Sequence, residues 1–252
     1  MRTYKDIPYT DSEDTRLIDL YLPDGECTAV FLYFHGGGLE WGSRREPENI
    51  PGFVDDMTSA GFGVASAEYR MYPEAKFPEF IEDAALAVKF MKTHIGEYCD
   101  CKKLIVGGSS AGGYISMMLC YDKKYLESVG ISPNDIDGYV FDAGQPTVHF
   151  RVLKERGIDY RKIIVDDAAP LYHVGDAESY PPIQLIVSDN DIDNREEQTY
   201  LLIGTMKHFG YDMSKVHLAK THGEHVWYTK APTENGSSVY GNIIIPFIKS
   251  IV

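Results

Sequence analysis

Basic residues are scarce in this chain: 24 Lys and Arg stand against 38 Asp and Glu, a formal charge of −14 over 252 residues. Such a balance repels phosphate backbones and anionic membrane surfaces, so a nucleic-acid partner is not expected. Long apolar runs are missing too. Residues 1–16 are polar and mixed in charge, without the apolar stretch of a signal peptide, and no segment approaches the length of a membrane span. The expectation is a cytoplasmic protein with no membrane partner. Cysteine is sparse, and Cys27, Cys99, Cys101 and Cys120 are too irregularly spaced for a disulfide framework, so reduced thiols are expected. Cys99-Asp100-Cys101 has no second cysteine pair at zinc-like spacing, and no metal site is expected. Internal repeats and low-complexity tracts are absent, as are the GxGxxG and GK[ST] phosphate-binding patterns.

What is present is an alternation of short apolar runs with longer amphipathic segments, the signature of βαβ units around a mostly parallel sheet. Strands are expected at Ala29–Phe34, Gly63–Glu68, Lys103–Gly108, Gly138–Ala143, Ile183–Ser188 and Val216–Ala219. Helices are expected near Ile50–Ala60, Pro78–Thr93, Ala111–Tyr121, Glu196–Phe209 and Val239–Ile251. Leu17–Leu22 alternates apolar with polar residues before Pro23-Asp24-Gly25 and reads as an edge hairpin. The length suits one α/β domain over residues 1–252. Within it, residues 142–182 are long for a connection and read as a lid or insertion, with His149, Phe150, Arg151, Tyr160 and Tyr172 available to line a pocket.

The chemistry concentrates at strand ends. An apolar strand runs into Gly108-Ser109-Ser110-Ala111-Gly112 and then into a helix, the context of a nucleophile elbow with Ser110 at its tip and small flanking residues to avoid clashes. His35-Gly36-Gly37-Gly38 follows another strand, where glycines let backbone N–H groups approach a developing oxyanion; Gly37, Gly38 and Ala111 are the expected donors. His35 beside this loop reads as a scaffold for its shape, and Glu40 and Trp41 as residues bordering the pocket. A serine nucleophile needs a base and an orienting acid. Asp189, Asp191 and Asp193 follow one strand, and His222 and His225 another. Asp191 and His225 are favoured, the latter because Gly223 gives a flexible approach and Trp227 an anchor; the other pairings stay open on spacing alone.

These motifs together resemble the hormone-sensitive-lipase-like group of α/β hydrolases and the related small carboxylesterases with an HGGG loop. The resemblance runs through His35–Gly38, Tyr69-Arg70-Met71-Tyr72-Pro73-Glu74, Asp83, Gly107–Gly113 and Gly223-Glu224-His225. It implies the α/β-hydrolase fold, a Ser110, Asp191 and His225 triad, and an oxyanion hole at Gly37, Gly38 and Ala111. Ser188 stands where the group usually has glycine ahead of its acid. The HGGG loop begins by residue 35, whereas larger members carry an N-terminal cap, which implies an open site for short acyl esters such as acetylated sugars or plant-derived aromatic esters. No cofactor is implied. The rivals are an amide-cleaving hydrolase, such as a peptidase or formamidase, and a receptor of the gibberellin-receptor kind. The small-molecule ester is the expected partner, and oligomeric state, a homo-oligomer included, leaves no signature in the sequence.

Overall fold

A computed structural model describes residues 1–12, 15–101 and 103–252. Eight strands form one sheet: β1 (Arg2–Pro8), β2 (Leu17–Leu22), β3 (Ala29–Phe34), β4 (Phe62–Ala67), β5 (Leu104–Ser109), β6 (Gly138–Asp142), β7 (Ile183–Asn190) and β8 (Val216–Glu224). Their spatial order is β1-β2-β4-β3-β5-β6-β7-β8. Pairing is parallel from β4 through β8, and β2 is antiparallel to both its neighbours. The helices are α1 (Glu46–Asn49), α2 (Phe53–Ser59), α3 (Glu79–His94), α4 (Ala111–Tyr121), α5 (Lys124–Ser128), α6 (Phe150–Glu155), α7 (Arg195–His208) and α8 (Val239–Ile251).

The central strands are apolar on both faces because both faces are covered. Every residue of β3, β4 and β5 is buried. On one face Leu32, Phe34 and Val106 meet α3 and α4 through Phe80, Val88 and Ile115; on the other, Phe31, Tyr33 and Ile105 meet α2 and α8 through Phe53, Tyr240 and Ile244. This is the α/β-hydrolase architecture. Chain order reverses at β3, which lies between β4 and β5, and the crevice at such a switch point, beyond the carboxyl ends of the strands, is where open α/β sheets collect ligands.

Two expectations need correction. Leu17–Leu22 is not at an edge and does not form a hairpin through Pro23-Asp24-Gly25. It is sandwiched between β1 and β4, and β1, whose alternating exposed residues carry little apolar signal, is the true edge. The last strand runs to Glu224, well past Ala219. As the opposite edge it is half-exposed, so its polar second half lacks the apolar signature. The segment 142–182 contains α6 and a single-turn helix at Pro170–His173.

Phe31 is fully buried, packs edge-on to Phe53 with ring centroids 6.4 Å apart, and fills the space above Gly107. Phe31→Ala is expected to lower unfolding free energy by about 3–5 kcal/mol in denaturant titration, with the parallel sheet retained.

Candidate active site

Ser110 stands between β5 and α4 in a conformation that L-residues rarely adopt, φ 54° and ψ −107°. Its amide donates to the Asp142 carbonyl at 2.8 Å, and α4 starts at the next residue. The turn is tight enough that a Cβ on Gly112 would come within 1.9 Å, and one on Gly108 within 2.3 Å, of the Phe34 carbonyl oxygen. Side chains are therefore excluded on both sides of the elbow, and the strain at Ser110 is held by the packing of β3 against α4.

His225 faces this serine. Its Nε2 lies 2.9 Å from Ser110 Oγ, and its Nδ1 lies 2.5 Å from Asp191 Oδ1. The carboxylate accepts, so Nδ1 carries the proton and Nε2 is left to accept one from the serine hydroxyl. The Asp191 side chain is 1% exposed. Burial pushes its pKa up, but the hydrogen bond and charge of His225, the charge of Arg195 and the Ile192 amide outweigh that and hold it below the usual carboxylate value.

A second Asp-His pair, His222 Nδ1 to Asp189 Oδ2, has the same 2.5 Å separation but a different position. Between Ser188↔Thr221 and Asn190↔Glu224 the β8 strand gains a residue over β7. Such a bulge re-aims the side chains beyond it. His222 is 96% exposed and stands away from the serine, whereas beyond the bulge His225 reaches Ser110. Asp193 lines a neighbouring cavity. Of the pairings that spacing alone left open, the structure joins only Asp191 and His225 to Ser110.

The loop after β3 forms the opposite wall. Gly37 has φ +106°, and a Cβ there would sit 1.8 Å from the Trp41 carbonyl oxygen, so the turn tolerates no side chain. Among the described residues, the amides of Gly37, Gly38 and Ala111 donate to no protein acceptor. His35 is fully buried and stacked on Tyr69 at 4.3 Å; its Nδ1 meets the Gly36 carbonyl and its Nε2 meets Glu68, each at 2.8 Å. Those contacts fix the loop from behind. Glu40 is turned aside to Arg151, at 2.7 Å, while Trp41 stays 71% exposed at the rim. Serine, histidine and glycine loop open on a cavity of about 610 Å³, also lined by Phe150, Ile192 and Lys230. Of the aromatic and basic residues expected to line a pocket from 142–182, Phe150 does so here and Tyr160 in the cavity beside it; His149 is buried, capping α6.

Two groups beneath the site escaped the sequence reading. Glu46 accepts the Gly36 amide at 2.8 Å, and burial raises its pKa. Asp142, at the end of β6, accepts from the Tyr228 hydroxyl, while its other oxygen has no partner among the described residues. Neither residue belongs to a motif, and only a strand ending in a charged residue marked Asp142. Among the described residues no cluster of His, Cys, Asp and Glu could hold a metal ion.

The sheet order, the strained elbow and the Ser-His-Asp geometry define an α/β hydrolase. The family model described as BD-FAE matches residues 18–152, over half the chain, and the chain belongs to that family. It is similar to the esterase LipI of Mycobacterium tuberculosis, 34% identical over 98 residues, covering 38% of this chain and 30% of that protein. It is similar also to an acetyl esterase of Salmonella schwarzengrund, 28% identical over 99 residues, covering 39% of this chain and 30% of that one. The matched stretch thus spans under a third of each relative. Among solved structures, a truncated carbohydrate esterase from gut microbiota superposes with a TM-score of 0.78 at 18% identity, over 99% of this chain and 96% of the other. A Pyrobaculum calidifontis esterase does so with 0.73 at 21% identity, over 100% and 86%.

Burial raises the Asp142 pKa to about 7, against the opposing hydrogen bond of Tyr228. A carboxyl whose folded pKa lies above its unfolded value stabilises fully at low pH and loses that contribution as pH rises towards 7. Unfolding free energies of Asp142→Asn and wild type, measured from pH 4.5 to 8, should therefore diverge in favour of the variant by up to ~1.4 kcal/mol per pH unit below about pH 7 and run parallel above it.

Proposed function

We propose that this protein is a serine carboxylesterase that hydrolyses short-chain acyl esters through an acyl-enzyme. The observation that carries the reading is the unbroken chain of contacts from Asp191 through His225 to Ser110, at 2.5 and 2.9 Å, on the wall of an open cavity. In the first step His225 Nε2 takes the Ser110 proton as Oγ attacks the ester carbonyl carbon, and the carbonyl oxygen becomes an oxyanion. The free amides of Gly37, Gly38 and Ala111 stabilise it; one such donor is worth on the order of 10²–10³ in rate. The tetrahedral intermediate then collapses, the alkoxide leaves with the proton held by His225, and the acyl group stays on Oγ. In the second step His225 removes a proton from water, water attacks the acyl carbon, and Ser110 leaves with its proton restored. Asp191 holds the Nδ1–H tautomer throughout and offsets the imidazolium charge.

The names of the relatives support ester chemistry, and the wide cavity with Phe150 and Ile192 on its walls suits short acyl groups on a bulkier alcohol. In this reading the 142–182 segment contributes one side of that cavity through Phe150. The four free cysteines fit a reducing, cytoplasmic setting.

Hydrolysis of p-nitrophenyl esters from acetate to long chains tests the reading. Short esters should turn over, and Ser110→Ala and His225→Ala should each lose on the order of 10⁴ or more in kcat. Asp191→Asn should lose about 10⁴, while Asp189→Asn, on the exposed pair, changes activity by less than about threefold. Full activity in Ser110→Ala would overturn the proposal, as would a wild type that hydrolyses matched amides and no esters.

A further inference from the structure

Phe150 and Ile192 form a wall shared by two cavities, the one holding Ser110 and a second of about 510 Å³ on the far side. The second differs sharply in charge from the rest of this acidic molecule. Lys154, Arg161, Lys162 and Arg195 line it, against the single acid Asp193. Arg161 is engaged by Asp159 in a two-pronged pair. Among the described residues Lys154, Lys162 and Arg195 form no ion pair; Lys154 instead lies over the rings of Phe150 and Tyr160, 5.4 and 5.0 Å from their centroids.

Arg195 is the decisive group. It is 3% exposed, and among the described residues its side chain makes one hydrogen bond, to the Ala143 carbonyl, which leaves guanidinium donors without a protein acceptor where it lines the cavity. Burial lowers its pKa to about 10, so the cation persists at neutral pH, and the charge of Asp191 acts on it without an ion-pair contact. A buried, unpaired guanidinium is costly unless an anion completes it. Three residues on, Gln198 is 7% exposed; its Oε1 accepts from Thr147, and among the described residues its amide NH₂ has no protein acceptor beside the same cavity. Both residues lie in the first turn of the 14-residue helix α7, whose N-terminus adds positive potential there. Of the two acids in that turn, Glu196 is turned away to Lys220, and Glu197 does not line the cavity. The half-exposed Tyr160, Ile163 and Ile192 supply apolar faces on the remaining walls.

We propose that this second cavity is a substrate subsite that takes a carboxylate carried on a ring, so that the preferred esters bear an anionic aromatic leaving group. The proposal rests on the esterase reading for its catalytic half: the ester sits at Ser110, the ring passes Phe150 and Ile192, and the carboxylate meets Arg195 and the two lysines. The lysines are exposed and their share is screened by salt, whereas the share of the buried Arg195 persists.

The test uses two acetyl ester pairs of different reach, those of 4-hydroxybenzoate and of 3-(4-hydroxyphenyl)propionate, each beside its uncharged carboxamide. Wild type should favour at least one carboxylate over its amide partner by about tenfold in kcat/KM, and the preference should shrink several-fold at about 0.5 M salt. Lys154→Ala/Lys162→Ala should lower that ratio about fivefold, and Arg195→Gln should abolish it, with partial recovery in Arg195→Lys. Calorimetry of the free hydroxy acids and their amides on Ser110→Ala reads the subsite without turnover. Should no ester be hydrolysed while the acid still binds more tightly than the amide, the esterase reading fails and the subsite stands. If p-nitrophenyl acetate is hydrolysed but neither ratio exceeds one, and acid and amide bind alike, the subsite is wrong and Arg195 serves only to hold Ala143.

Discussion

The close approach of α4 to the end of β3 governs the whole site. Because a Cβ at Gly112 would stand 1.9 Å from the Phe34 carbonyl oxygen, helix and strand meet backbone to backbone, and the residue between β5 and α4 is forced to φ 54°. An isolated peptide would relax that conformation, which costs of order 1–3 kcal/mol. Here the fully buried β3 and β5, packed on both faces, prevent relaxation. The energy of an ordinary parallel core is thereby turned into a serine hydroxyl fixed at the sheet edge, beside the first free amide of α4.

The other parts are set by strand ends around that point. The glycine loop follows β3, the acid follows β7, and the histidine follows β8, so three separate connections converge on the crevice at the switch point. Convergence alone does not choose among neighbours, since two Asp-His pairs form with equal separations. The extra residue in β8 makes the choice, leaving His222 in solvent and bringing His225 to the serine. Beneath, burial and, after it, the charges of Asp191 and Glu46 raise the pKa of Asp142, while the cationic Arg195 helps hold that of Asp191 down. The acid next to the histidine stays ionised because it has the hydrogen bonds, while Asp142, with one oxygen unpartnered, is the one that protonates.

How far the sequence could be read followed burial. Strand β3 and helices α4 and α8 lie where apolar content placed them, because elements enclosed on one or both faces must be written in apolar residues. The edges are harder to read: β1 and the second half of β8 carry no clear apolar pattern, and nothing in β2 shows that another strand covers it, since a solvent-facing strand alternates weakly and its pairing partner is not encoded locally. At the site, Ser110 and the glycine loop stood out because strained turns demand glycine at fixed offsets. The acid did not, because Asp189, Asp191 and Asp193 alternate along one stretch and a bulge one strand away selects between them. Arg195 had no signal at all; an arginine at a helix start looks like any surface cation until the fold buries it.

Activation of Ser110 by His225 and Asp191 is open to direct measurement through reaction with a fluorophosphonate followed by peptide mass mapping. A single adduct on the peptide containing Ser110, abolished in His225→Ala while that variant remains folded, is the predicted result. Ester hydrolysis by a protein that takes no adduct at Ser110, or takes it on another residue, would mean that Ser110 is not the nucleophile.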